Sequence, residues 1–226
     1  MVSQLVEAIG EKFMIMYCAA NDIYFNEYFD LWIQQCNKFY PELKKIIAVY
    51  KPNSDISQKC KQHGVEMRDI TNNMNNNPIT RDFYLMRWLF LPFDVGENIL
   101  ETQINCLPVK KQHFEEQKVE HLRISRRKFN DLGYPGTLGG VSAAVFSVAG
   151  AKKVVQQAKQ WQNCAPEYDH EMNIWQIHNL THDFTCTEQQ FKIKNQKIKD
   201  YTCWITAGTS NKYTAQQKKD VLTHYI

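Results

Sequence analysis

Apolar and polar positions follow two different rhythms along this chain. The run Phe13-Met14-Ile15-Met16-Tyr17-Cys18 is continuously apolar and stops at Ala19-Ala20-Asn21-Asp22, the pattern of a buried strand followed by a turn. From Tyr24 to Phe39 the rhythm changes. Phe25, Tyr28, Phe29, Trp32, Ile33 and Cys36 recur at helical steps until Pro41 closes the segment, which predicts a helix. A second strand is predicted over Lys45 to Tyr50, and Ser54 is placed to cap a short helix ending at Gly64. Val65 to Ile70 reads as a third strand, and the asparagine-rich stretch Thr71 to Pro78 as a surface loop. Thr80 then caps a helix that carries Arg81, Arg87 and Trp88, and a fourth strand is predicted from Asn98 to about Cys106.

The second half has weaker periodicity. Lys110 to Lys128 is highly charged, Gly133 to Gly140 is glycine-rich, and Val141 to Val148 reads as a strand of small apolar residues before a helix over Ala149 to Trp161. Short strand-like pieces at Phe191 to Ile193 and Tyr201 to Thr206 precede a last helix capped by Thr214. Strands separated by helices imply a parallel sheet with right-handed crossovers, and such sheets bind ligands at the carboxyl ends of their strands. Ala19 to Tyr24, Arg68 to Asn72 and Glu101 to Asn105 are therefore the candidate site.

Composition narrows the class. At 226 residues, with 43% hydrophobic content, one packed core is the expectation, and no linker or repeat divides the chain. A net charge of +3 favours no particular class of partner. The seven cysteines form no CxxC pair and no zinc-like spacing, so they are expected to be reduced and mostly buried, as in a cytoplasmic protein or a viral protein in host cytoplasm. Neither a signal peptide nor an apolar run long enough for a membrane span is evident.

The order of these elements resembles the GT-A fold of nucleotide-diphospho-sugar glycosyltransferases, from Phe13 to about Tyr213. Tyr17-Cys18-Ala19-Ala20-Asn21-Asp22-Ile23-Tyr24 looks like the strand and turn that hold the nucleoside in that family. Arg87-Trp88-Leu89-Phe90-Leu91-Pro92 is similar to the basic helix end before the strand bearing the Asp-x-Asp motif. Gly139-Gly140-Val141-Ser142 resembles the entry to the strand lining the sugar and acceptor, and Pro166-Glu167-Tyr168-Asp169-His170-Glu171 the later acidic cluster.

The resemblance implies an α/β fold with a mixed, mostly parallel central sheet flanked by helices. It also implies one GT-A-like domain over 1–226, with a nucleotide-binding half to about residue 106 and an acceptor-binding half beyond. A nucleotide-sugar donor would be held by Ala19, Asn21, Asp22, Tyr24, Arg68, Asp69, Arg81, Arg87, Glu101, Gln103, Gly139, Gly140 and Lys212. The general base for an acceptor hydroxyl would be Asp169, or else Glu171.

One departure from the family changes the chemistry implied. The place of the Asp-x-Asp carboxylates reads Glu101-Thr102-Gln103, and Ile205 stands where some branches carry a late histidine ligand. Glu101 remains as a weak metal ligand, so manganese or magnesium is compatible with the site but not required. Arg68, Arg81, Arg87 and Lys212 are then the cations available to the leaving diphosphate. The alternative is a GT-A domain that binds a nucleotide or partner protein without catalysis.

Other motifs carry less. His178 and His182 lack the glutamate of a zinc-protease helix, and Gly139-Gly140 is followed by no P-loop lysine. Seven Lys/Arg against three Glu over Lys110 to Lys128 read first as a solvated surface and second as a strip for a phosphate backbone. The resemblance implies a glycan acceptor or, with that strip, a modified base in viral DNA.

Overall fold

The computed structural model describes residues 14–75, 78, 80–112, 121–123, 127–128, 138–139, 143–162, 183–184, 188–191, 196–200, 202–207 and 214–226. In chain order the elements are β1 (Met14–Asn21), α1 (Asp22–Phe39), β2 (Lys44–Tyr50), α2 (Ser54–Gln62), β3 (Glu66–Asp69), α3 (Thr80–Leu89), β4 (Asn98–Thr102) and β5 (Cys106–Pro108). They continue as β6 (His121–Arg123), β7 (Arg127–Lys128), β8 (Leu138–Gly139), β9 (Ala143–Phe146), α4 (Val148–Gln162), β10 (Asp183–Phe184), β11 (Glu188–Phe191), β12 (Trp204–Ala207) and α5 (Ala215–Tyr225).

Seven strands form the central sheet in the order β10-β6-β9-β4-β1-β2-β3. β1 pairs in parallel with both β2 and β4, β2 with β3, and β10 with β6, while β9 runs antiparallel between β4 and β6. The sheet is thus mixed and mostly parallel, as the alternation of strands and helices implies. β1 is central and buried on both faces because every residue from Ile15 to Ala20 is apolar. Met16, Cys18 and Ala20 pack with α1, α2 and α5, together with a smaller sheet of β11, β12 and β5. Ile15, Tyr17 and Ala19 pack with α3 and α4 on the other face.

Several boundaries differ from the sequence reading, each for a local reason. β1 passes into α1 with no separate turn, because Asn21 is both the last strand residue and the helix cap, its side-chain oxygen accepting from the Tyr24 N–H at 2.8 Å. Asn53, not Ser54, caps α2, accepting from the Ile56 N–H at 2.9 Å. The predicted strand from Asn98 to Cys106 is two strands in two sheets. Gln103, Ile104 and Asn105 turn the chain, the Cys106 N–H donating to the Gln103 carbonyl at 2.9 Å, and β5 then pairs antiparallel with β12. β9 ends at Phe146 because Ser147 caps the next helix, its hydroxyl accepting from the Gly150 N–H at 3.1 Å. Thr214 caps α5 as expected, in a capping box with Gln217.

Among the described residues, Cys18, Cys36, Cys60, Cys106 and Cys203 are buried free thiols. No described helix is long and apolar enough to cross a membrane.

Candidate donor site at the carboxyl edge

Strand order sets where a ligand would sit. From β1 the chain moves outward through β2 and β3 and then returns to β4 on the other side of β1, so β1 and β4 bracket the switch point of the sheet. In open α/β sheets the crevice outside the strand ends at such a point is where ligands bind. β1 delivers Asn21 to it, and the first turn of α1 delivers the exposed Asp22, with Ile23 at 60% and Tyr24 at 45% exposure. α1 runs for 18 residues with its amino end at this edge, and its dipole favours an anion there.

β4 delivers Glu101 and the Gln103 turn. Glu101 lies opposite Tyr17 in the parallel register of β1 with β4, and opposite Ala144 of β9. It is sealed from solvent, and both its oxygens accept from Arg87 of α3: Nε to Oε1 at 2.7 Å and Nη2 to Oε2 at 2.5 Å. Two parallel charge-assisted bonds fix the guanidinium in one plane. The Arg87 side chain keeps 11% exposure and packs its guanidinium over the Trp88 ring at 4.2 Å.

Burial opposes the charge on Glu101 and outweighs the help from Arg87, so its carboxyl is pushed up to about 7. Tyr17 stands beside the pair with its hydroxyl buried and without a hydrogen-bond partner. Burial first and the Glu101 charge second push that hydroxyl well above its ordinary value. A buried hydroxyl left unpaired costs about 1–3 kcal/mol.

The other strand ends carry local structure. The Asp69 carboxylate accepts from the Thr71 N–H, and the Thr71 hydroxyl in turn accepts from the Lys51 N–H, each at 2.9 Å. Lys51 holds φ at 53°, a left-handed conformation that non-glycine residues adopt at a cost of about 1–2 kcal/mol, so this corner is pinned tightly. Arg68 leans away from the carboxyl edge. Its guanidinium donates to Glu66 at 3.0 Å and to Asp94 at 2.7 Å, on the 3-10 turn before β4.

The predicted donor residues thus separate. Ala19, Asn21 and Glu101 lie on the two strands that bracket the switch point, Gln103 on the turn after β4, Asp22 and Tyr24 on α1, and Arg87 on α3 across the opposite face of the sheet, whereas Arg68 is held by two carboxylates and Asp69 by its own turn. Arg81 occupies the first turn of α3, and Gly139 pairs with Arg127 in the β7–β8 ladder. Asp169, Glu171, Gly140 and Lys212 lie outside the described residues.

Three residues here escaped sequence reasoning. Tyr17 passes for core because the register that sets it beside Glu101 is a long-range fact. Asp82, at 1% exposure, accepts from Asn75 Nδ2 at 3.1 Å and ties the loop after β3 to α3. Trp32 donates from Nε1 to the Thr102 hydroxyl at 2.9 Å, clamping α1 to the end of β4. Only the polar residues bounding otherwise apolar runs hinted at them.

The donor set argues against a divalent cation at the Glu101 position. Both carboxylate oxygens are taken by a cation already present, and the turn beyond offers only the neutral side chains of Gln103 and Asn105. Among the described residues no three His, Cys, Asp or Glu side chains converge.

The sequence matches no protein-family model and no curated protein. The fold matches solved glycosyltransferases. The glycosyltransferase GlyE of Streptococcus pneumoniae TIGR4 is similar over 94% of this chain and 60% of its own, with a TM-score of 0.61 at 9% identity. Its apo form is similar over 80% of this chain and 46% of its own, with a TM-score of 0.54 at 10% identity. The galactosyltransferase LgtC, in complex with donor and acceptor sugar analogs, is similar over 93% of this chain and 95% of its own, with a TM-score of 0.55 at 10% identity. The chain therefore spans about half the length of the GlyE chains and nearly all of LgtC. At these identities the likeness defines a fold, and that fold is the GT-A type.

Proposed function

We propose that this chain is a glycosyltransferase that moves a sugar from a nucleotide-diphosphate donor to an acceptor hydroxyl. The observation that carries the reading is the switch point of a GT-A-type sheet, flanked by an exposed aromatic on one side and a fixed cation on the other. Tyr24 offers its face to the nucleobase, with Asn21 and Asp22 near the ribose. The amino end of α1 and the Arg87 guanidinium meet the diphosphate and its growing charge as the sugar leaves. Gln103 supplies a neutral hydrogen-bonding group, and Gly139 and Gly140 allow the sugar to approach the backbone. Arg81 and Lys212 are the further cations proposed to meet the diphosphate. Arg68 and Asp69 are assigned to the scaffold, since their charges are met locally.

Asp169 is the general base that takes the acceptor proton as its oxygen attacks the anomeric carbon, with Glu171 the second choice. In this reading the cations Arg87, Arg81 and Lys212 carry leaving-group charge, and manganese or magnesium is not required. The acceptor is a glycan in preference to a base in viral DNA. Lys111, in the basic strip that would follow a phosphate backbone, is bound to Glu42 at 2.9 Å.

One observation favours a second reading, a GT-A domain that binds a nucleotide or protein without catalysis. Glu101 is fully engaged by Arg87, and Gln103 brings no charge to replace it. The two are separated by incubating the protein with a panel of nucleotide sugars and following release of the nucleoside diphosphate. Turnover that disappears in Asp169→Asn while diphosphate binding persists supports the transferase. Binding without turnover of any donor, with manganese, magnesium or chelator, supports the second reading.

A further inference from the structure

The corner after β2 holds Lys51 in a conformation that a lysine does not choose. Its φ of 53° lies in the left-handed region, and no other described residue apart from glycine has a positive φ. Pro52 follows, which disfavours the right-handed helical region for Lys51 but leaves extended backbone open to it. The strain is instead imposed from the end of β3. The Lys51 N–H donates to the Thr71 hydroxyl, and the Thr71 N–H donates to the Asp69 carboxylate, each at 2.9 Å. Glycine adopts such a corner without strain. A strained residue held in place by its surroundings is a feature that clusters at ligand sites.

Register puts this corner beside the donor site. Tyr50, the last residue of β2, is the parallel partner of Asn21, the last residue of β1. Lys51 thus stands one residue past the carboxyl edge, and one strand spacing of about 4.8 Å separates its strand from the one that leads into Asp22. In doubly wound sheets a phosphate at the amino end of the first helix leaves the ribose beside the end of the second strand, where a side chain reads its 2′-hydroxyl. Here α1 is that helix and β2 that strand. We propose that Lys51 is a specificity residue of the donor site, its ammonium donating to the ribose 2′-hydroxyl of the nucleoside diphosphate. The inference rests on the donor reading above and adds the part of the donor that the β2 corner recognises.

The side chain is free to make that contact. Lys51 is exposed, and among the described residues it makes no ion pair. Its Nζ lies over the Tyr50 ring at 5.3 Å, and that ring is itself fixed edge-on against Phe83 of α3 at 5.5 Å between centroids. A cation resting on a ring at an exposed site is held weakly and keeps its three N–H donors for a hydroxyl. Asp22, exposed at the start of α1 and likewise without an ion pair among the described residues, is the matching acceptor for a ribose O–H. A cation and a carboxylate on neighbouring strand ends therefore suit a diol, which both donates and accepts.

Titration calorimetry of the whole chain with the four common ribonucleoside diphosphates and their 2′-deoxy counterparts tests the assignment. Wild type is expected to bind its preferred ribonucleoside diphosphate about tenfold more tightly than the deoxy form, the worth of one charge-assisted hydrogen bond. Lys51→Gly removes the ammonium and suits the left-handed corner, so its melting temperature should equal or exceed that of wild type while the preference for ribose is lost. A side chain that served the fold alone would not separate the two readouts in this way.

An affinity loss in Lys51→Gly by the same factor for ribose and deoxyribose ligands overturns the assignment to the 2′-hydroxyl. Unchanged binding of every ligand in Lys51→Gly overturns it as well and leaves the donor reading intact. If wild type binds no nucleoside diphosphate, the donor reading falls and this inference falls with it.

Discussion

Replacing Glu101 by glutamine tests the physical basis of the site without any ligand. Burial raises the Glu101 carboxyl from an ordinary value of 4.5 to about 7 in the folded protein, despite the Arg87 guanidinium. A carboxyl raised on folding contributes stability that is fully present below its unfolded value and is lost as pH rises through the folded one. The loss therefore runs from about pH 4.5 to about pH 7 and then levels off. Each unit of difference corresponds to about 1.4 kcal/mol, so the Glu101 contribution falls by about 2–3 kcal/mol between pH 5 and pH 8.

Glutamine keeps the shape and one acceptor oxygen but does not titrate. Urea unfolding of both proteins, followed by tryptophan fluorescence at half-unit pH steps, isolates the contribution as their difference. Wild type should lose about 2–3 kcal/mol relative to Glu101→Gln on going from pH 5 to pH 8. A difference that is flat with pH, or that moves in favour of wild type, refutes the claim that burial outweighs the ion pair at this position.

Three further outcomes follow from the same contacts. Arg87→Met strands a sealed carboxylate and should cost about 3–5 kcal/mol at pH 8 but markedly less at pH 5, where Glu101 protonates; urea midpoints at the two pH values decide it. Trp32→Phe removes the donor to the Thr102 hydroxyl across 70 residues of sequence and should cost about 1–3 kcal/mol, with a smaller penalty when Thr102→Val is already present. Burial raises the thiols of Cys18, Cys36 and Cys60, so peptide mapping after treatment with an alkylating reagent at pH 7.5 should find these three unmodified in the native protein and modified in urea.

How far the sequence reveals this molecule depends on the range of the interaction concerned. The apolar run ending at Cys18 and the helical spacing from Phe25 to Cys36 announce β1 and α1, because burial on both faces of a strand and on one face of a helix leaves a local signature. Their junction is less legible. Asn21 reads as part of a turn, and only the geometry shows it ending a strand and capping a helix in one residue. The break at Gln103 is hidden for a similar reason, since Ile104, Cys106 and Leu107 continue the apolar pattern while the chain crosses into the smaller sheet.

The site is legible only in outline. The carboxyl ends of β1 and β4 follow from element order, but the partners of the charged side chains do not. Arg68, near a strand end, and Arg87, on a helix, stand in the sequence as equivalent candidate cations. One turns to Asp94, 26 residues on, and the other to Glu101, 14 residues on, because strand register and helix rotation decide which carboxylate each can reach.

The most direct test of the central claim is binding of nucleoside diphosphates and nucleotide sugars, by thermal shift, in the presence of chelator and again with manganese. The account predicts that one nucleoside diphosphate raises the melting temperature in chelator as well as in manganese, and that Tyr24→Ala and Arg87→Lys each reduce the shift. Absence of a shift with every ligand, or a shift that both variants leave unchanged, would contradict a donor site at the carboxyl ends of β1 and β4.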